Sequence, residues 1–201
     1  MDRAAQREQG EQTRRALVQA AAVEFAAHGY TAAVLERVSD RLGLTKGAVY
    51  FHFPTKAELA RAVGEAWTAM WAAEVARSTE RGFDLPELEA FMVRMTERAQ
   101  HDHVWAATIR LAHDREHIPD EVPRPSEAWL TVIRAALQAS ETRGDLRRGV
   151  DLETMAWQLT AHVIGMHSLM AALNDEQSPA ERVRQLLESY RSVLATMPSR
   201  P

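Results

Sequence analysis

Gly29, Gly43 and Pro54 confine the chain between them to two short segments, because each marks a point where a helix stops. Leu35, Val38 and Leu42 recur at helical spacing and predict a helix closed by Gly43. Thr45 then precedes Lys46-Gly47-Ala48-Val49-Tyr50-Phe51-His52-Phe53, about two turns long before Pro54. Upstream, Leu17, Ala20, Ala21, Phe25 and Ala26 predict a helix over 12–28 that Gly29 stops. Three short helices, the last two separated by a Gly turn, make residues 1–55 an expected helix-turn-helix domain.

Residues 56–201 are expected to form a helical body, with 56–78 as a linking helix. Thr55 and Glu58 carry the spacing of a capping box, and Leu59, Val63, Ala66, Met70 and Val75 continue an apolar side to about Ser78. Asp84 or Pro86 starts a helix through Leu88, Phe91, Met92 and Met95 to Ala99. A short apolar segment from Val104 to Leu111 follows, and the Pro-rich stretch from His117 to Pro125 interrupts helical order. Trp129, Ile133 and Leu137 lie on the next helix, which ends at Gly144. Asp151 is a plausible N-cap for a helix ending near Asn174, and Ser178-Pro179 opens the last one. With no β alternation and no internal repeat, the expected fold is all-α with about nine helices.

Composition removes several classes of function. The absence of cysteine excludes disulfides, thiolate metal sites and a cysteine nucleophile, and favours a reducing cytoplasm. Met1-Asp2-Arg3 leads into polar residues, and no apolar run approaches a membrane span, so neither export nor membrane association is expected. The net charge of −4 argues against indiscriminate polyanion binding, while the first 60 residues carry a slight positive balance suited to a small DNA-facing module. His101, His103, His113 and His117 invite a metal reading, but only His113 and His117 have i,i+4 spacing, and solvent-facing or pairing roles suit them better. No metal or other cofactor is expected. Ser-His-Asp, Gly-rich phosphate-loop and HExxH patterns are absent, so an enzyme is not expected.

A helix entering the major groove needs small or polar residues at its exposed N-terminal side, a cation for phosphate and a buried side that anchors it. Thr45, Lys46, Gly47 and Tyr50 supply that mixture. Gly47 lets backbone approach the duplex, Thr45 and Tyr50 can donate to phosphate, and Lys46 can reach phosphate or a guanine edge. His52 is also placed for a phosphate. Val49, Phe51 and Phe53 are assigned to packing, with Leu35, Val38 and Leu42 as partners.

In the body, Met92, Met95, Trp105, Trp129, Trp157, Met166 and Met170 suit an adaptable apolar pocket and equally an ordinary core. Thr160, three residues after Trp157, is expected on the same side of its helix, offering a hydroxyl beside an indole. Trp105, Thr108, Trp129 and Gln158 are further ligand-binding candidates. Leu159, Val163, Met166 and Met170, with Leu186, Leu187, Tyr190 and Leu194, form two long apolar stripes. Pairing them across a two-fold axis gives a homodimer; the monomer alternative buries them internally.

Ala22-Val23-Glu24-Phe25 with Gly29-Tyr30, the run from Val38 to Phe53, and Lys56-Ala57-Glu58-Leu59 together resemble the DNA-binding domain of tetracycline-repressor-type (TetR-family) regulators. The resemblance implies a head whose third helix reads the major groove, a divergent ligand-binding body, and a homodimer built from the last two helices. By position, Thr45, Lys46, Gly47, Tyr50, His52 and Lys56 match residues that meet DNA, with Gly47 and Ala48 at the base-facing point. Thr31 and Arg41 match positions that support phosphate contacts. Thr-Lys-Gly-Ala-Val-Tyr-Phe-His-Phe further resembles the γ-butyrolactone receptor branch, regulators of antibiotic production and differentiation. In that branch a Trp matching Trp129 and a Thr matching Thr160 line the signal pocket.

The resulting expectation is a repressor of a palindromic operator, released when a small apolar effector near Thr160, Trp129 and Trp157 moves the linking helix. The alternative is a small-molecule-binding or interaction protein that does not read DNA specifically. An exposed Thr45-Lys46-Gly47 end favours the first reading, and a covered one the second.

Overall fold

The computed structural model describes residues 3–118, 121–173 and 176–194. The fold is all-α, with nine α-helices among the described residues: α1 (Arg3–Ala32), α2 (Leu35–Leu42), α3 (Lys46–His52), α4 (Lys56–Glu80), α5 (Leu85–His101), α6 (His103–His113), α7 (Pro125–Arg143), α8 (Leu152–Leu173) and α9 (Pro179–Leu194). A 3-10 turn, Arg115–His117, follows α6. Asn174, Pro119, Met1 and the side chain of Leu194 lie outside the described residues. No helix among the described residues is long and apolar enough to cross a membrane.

The chain divides into two compact units, residues 1–71 with 101–125 and residues 72–100 with 126–201. The unit containing the head thus extends past residue 55 to take in α6 and the first part of α4. In it, α1 packs on α6, α2 on α1 and α3 on α2. Leu17, Ala21, Phe25, Val38, Val49, Leu59, Val63 and Leu111 are buried there, each helix contributing one apolar side. α1 begins well before the expected residue 12, and its first two turns are mostly exposed. Gly29 does interrupt it, as a break at φ 71° and ψ −178°, after which the chain makes one more turn.

The helix ends follow local chemistry. Gly43 adopts the left-handed conformation (φ 64°) that side chains with a Cβ disfavour. Its N–H donates to the Asp40 carbonyl at 3.1 Å and the Leu44 N–H donates to that of Ser39 at 3.0 Å, a Schellman closure. Thr55 Oγ1 accepts the Glu58 N–H at 3.1 Å at the start of α4. In the second unit Asp84 starts α5 by accepting the Glu87 N–H at 3.0 Å, and Ser178 starts α9 by accepting the Glu181 N–H at 3.1 Å. Asp151 Oδ1 accepts the N–H groups of Glu153 and Thr154, capping α8 as expected.

The second unit buries Leu88, Phe91, Met92, Met95, Ile133, Leu137, Leu159 and Val183, with Phe91 edge-on to Trp129 at 5.7 Å. A polar cluster sits at its α4–α5 side. Glu87 accepts from Ser78 Oγ and from Arg94 Nη2, both at 2.8 Å. Burial works to raise the Glu87 pKa, but these hydrogen bonds and the charges of Arg94 and Arg81 together hold it below the usual glutamate value.

Candidate nucleic-acid interface

α3 begins at an N-cap, Thr45, whose Oγ1 accepts the Ala48 N–H at 3.3 Å. Val49 is buried against the rest of the head, and Phe53 just beyond α3 is 2% exposed. Those two lie four positions apart, one turn of helix, and they anchor α3 from beneath. Thr45, Lys46, Gly47 and Tyr50 face solvent, Ala48 is half-buried, and a methyl group at Gly47 would meet only Thr45 Oγ1, at 3.9 Å. The anchored side and the open N-terminal end are the arrangement a reading helix requires.

Phe51 overturns its assignment to the core: it is 83% exposed. Two positions beyond Val49 is about 200° around a helix, so burying Val49 turns Phe51 outward. Its ring lies edge-on to His52 at 5.2 Å.

The cations of the head are arranged less simply than their spacing implies. Lys46 forms a close ion pair with Glu36 of α2, and its ammonium lies 5.8 Å from the centroid of Tyr50. The Glu36 hydrogen bond raises the Lys46 pKa, and the same bond lowers that of Glu36. Lys56 donates from Nζ to the carbonyls of Thr31 and Ala33, both at 3.2 Å, and sits 4.8 Å from the Tyr30 ring centroid. Lys56 therefore ties the start of α4 to the α1–α2 junction. Thr31 is exposed and reaches Lys56 through its backbone, Arg41 is exposed in the last turn of α2, and His52 is half-buried at the end of α3.

Glu24 has no sequence signal of its role beyond its place in the Ala22-Val23-Glu24-Phe25 run, yet it organises the head. It is 2% exposed and its Oε1 accepts the Val34 N–H at 3.1 Å and Arg37 Nη1 at 3.0 Å. Val34, at the N-cap of α2, has no side-chain oxygen with which to cap, and Glu24 of α1 supplies a carboxylate to the α1–α2 junction instead.

The ligand-binding candidates fall in both units. In the first, Trp105 stands with Trp67 and Trp71 in a buried cluster with centroids 5.3, 5.8 and 5.9 Å apart, and the buried Trp67 indole N–H has no hydrogen-bond partner among the described residues. Trp67 and Trp71, rather than the expected Ala66 and Met70, carry the buried line of α4 on from Val63, each one turn after the last, while Ala66 and Met70 are only half-buried. Thr108 is buried, its hydroxyl donating to the Val104 carbonyl at 2.8 Å. In the second unit Trp129 is buried, Gln158 is exposed and Thr160 is buried, donating to the Ala156 carbonyl at 2.8 Å. Trp157 is 65% exposed. The 60° between positions three apart is enough to put Thr160 inside the unit and Trp157 outside it.

The apolar stripes of the last helices separate in the same way. Leu159, Val163 and Leu187 are core of their own unit, while Leu169 and Leu173 are 59% and 68% exposed. A groove of about 750 Å³ along α8 and α9 is lined by Ala161, Gly165, Met166, Leu169, Leu173 and Leu186 among others. His162, also on it, has Nδ1 2.5 Å from the Tyr190 hydroxyl. Among the described residues no group of three or more His, Asp or Glu is placed to hold a metal ion.

A short helix presented beyond a Schellman turn, on a helical scaffold joined to a second helical unit, defines a helix-turn-helix regulator. The family model for bacterial regulatory proteins of the tetR family matches residues 17–63, and that for the C-terminal part of BetI-type transcriptional repressors matches residues 87–195. The chain belongs to the tetR family of bacterial regulatory proteins. It is 26% identical over 186 residues to the A-factor receptor protein of Streptomyces griseus, spanning 92% of this chain and 64% of that relative's length. A solved structure described as giving the molecular basis for control of antibiotic production by bacterial hormones is 35% identical, with a TM-score of 0.80 over 92% of this chain and 98% of that one. CprB of Streptomyces coelicolor, in complex with its biological operator sequence, is 25% identical with a TM-score of 0.80 over 94% of this chain and 91% of its own.

Proposed function

We propose that this regulator represses transcription by binding a palindromic operator as a homodimer, and releases it when a small effector of the γ-butyrolactone type binds its body. The observation that carries the DNA reading is the exposed N-terminal end of α3, where Thr45, Lys46 and Gly47 face solvent above a buried Val49 and Phe53 anchor. Likeness to CprB, which has been solved with its operator, supports the same reading. Likeness to the A-factor receptor and to a protein of hormone-controlled antibiotic production supports an effector of that class.

The dimer is proposed to form on the exposed apolar face of α8 and α9. Ala161 and Gly165, one turn apart, allow a partner helix to approach closely, and Leu169 and Leu173 supply area to bury. Two reading helices related by a two-fold axis match two half-sites about one DNA turn apart. For the effector, Trp129 and Thr160 of the second unit are proposed as lining residues. Thr160 Oγ1 donates to its own helix and keeps lone pairs for an incoming donor. α4 runs through the boundary between the units at residues 71 and 72, so it is the proposed lever. Release requires the effector to bind the non-DNA-binding arrangement more tightly.

Footprinting on DNA upstream of the gene and its neighbours, at stated salt, with and without a synthetic γ-butyrolactone, tests this function. A protected palindrome lost on adding the lactone is the expected result. Protection indifferent to lactones would remove the effector class and keep the repressor.

A further inference from the structure

We propose that Phe51 is a specificity-determining residue that packs on thymine methyl groups in the major groove of the operator; this rests on the DNA reading above. Phe51 is the most exposed of the large apolar side chains described, at 83%, and it stands on the seven-residue helix that carries Thr45, Lys46 and Gly47. Phe51 lies four positions after Gly47, so the two share the side of α3 that faces away from the buried Val49. Among the described residues, a methyl group added at Gly47 would have only Thr45 Oγ1 within 4 Å, at 3.9 Å, so that position of the side is open. Gly47 and Phe51 thus present an open, apolar side of α3 one turn apart, on the helix proposed to meet DNA.

The chemistry of that side selects its partner. Phe51 has no donor for phosphate, and the lysine of the same helix is held by Glu36. Among the groups on major-groove base edges, the thymine 5-methyl is the apolar one, and side chains such as Phe contact it. Burying a methyl contributes about 0.8 kcal/mol, or roughly a fourfold change in binding constant.

The full-length wild-type chain enriches a binding sequence from random duplex DNA at stated salt. Each half-site thymine is then replaced singly by deoxyuracil, and binding is measured for wild type, F51A and F51L. At one or two positions, loss of the methyl is expected to weaken wild type by about fourfold and F51A by less than about twofold, with F51L closer to wild type. Thermal unfolding of F51A should match wild type because the ring is exposed. Equal losses in wild type and F51A at every thymine, an enriched site without half-site thymines, or unchanged binding by F51A would each overturn the assignment of Phe51 while leaving the DNA reading intact. Failure to enrich any sequence would overturn both together.

Discussion

Asp114, just past the end of α6, accepts the Tyr30 N–H at 2.6 Å, immediately after the break in α1 at Gly29. The contact fixes the exit of α1 from a residue 84 positions away in sequence. Gly29 is required twice over. Its φ of 71° disfavours a side chain, and a methyl group there would fall inside contact distance of Asp114 Oδ2. Gly29→Ala is therefore expected to lower stability by about 1 to 3 kcal/mol, read by urea unfolding. Asp114→Ala leaves the Tyr30 N–H without its acceptor, and a loss of about 1 to 2 kcal/mol is expected. Unchanged midpoints for both variants would dismiss the junction as incidental.

Glu24→Leu is expected to destabilise the head by about 2 kcal/mol, because the Val34 N–H and Arg37 lose a buried acceptor at once. Arg37→Ala should cost less than about 1 kcal/mol, its side chain being half exposed to water. Hydrogen exchange at Val34 separates the two, quickening strongly only in the Glu24 variant.

Lys46 is held by a neighbour whose charge opposes DNA. Glu36→Gln keeps the size of that neighbour and removes its charge, so operator affinity is expected to rise. The slope of log K against log salt should steepen by about 0.9 for each phosphate the released lysine neutralises. An affinity that falls would show that Glu36 itself contacts the duplex.

Acid should act on the second unit through Glu87, whose pKa is lower in the folded chain than in the unfolded one. Stability from a lowered carboxylate is fully present above its unfolded value, about 4.3, and is lost as pH falls through the folded value. The melting temperature of wild type should drop more steeply below about pH 4 than that of Glu87→Gln. Parallel curves would remove Glu87 as a source of acid sensitivity.

Leu169→Glu places a charge on the exposed face of α8. Sedimentation should shift from dimer toward monomer and operator binding should weaken with it, while helicity by circular dichroism stays the same. A dimer that survives both Leu169→Glu and Leu173→Glu would place the interface elsewhere.

Five helix starts were legible because capping is local chemistry: Thr45, Thr55, Asp84, Asp151 and Ser178 each accept from an N–H two or three residues on, whereas the start of α1 carries no such signal. Gly43 was legible for the same reason. What the sequence hid depends on partners far along the chain. Glu24 looks like any surface acid until α2 arrives with a Val at its N-cap. Periodicity identified apolar stripes in α8 without showing which edge the unit would cover, so Leu159 and Val163 went inward while Trp157 stayed out. Phe51 was misplaced because a run of aromatics obscures the helical phase that the buried Val49 sets.

α1 packs chiefly on α6, a helix that begins only at His103, so the DNA-reading portion is not a cassette that ends where its motif does. A chimera cut near residue 55 would carry the reading helix but strip the covering from α1. Grafting this head onto another sensor thus calls for a recipient whose own sixth helix presents a compatible surface and an acid equivalent to Asp114. Exchange of recognition helices within the intact scaffold is the more practical route to altered operator choice, and the same dependence limits how freely heads and bodies can recombine as such regulators diverge.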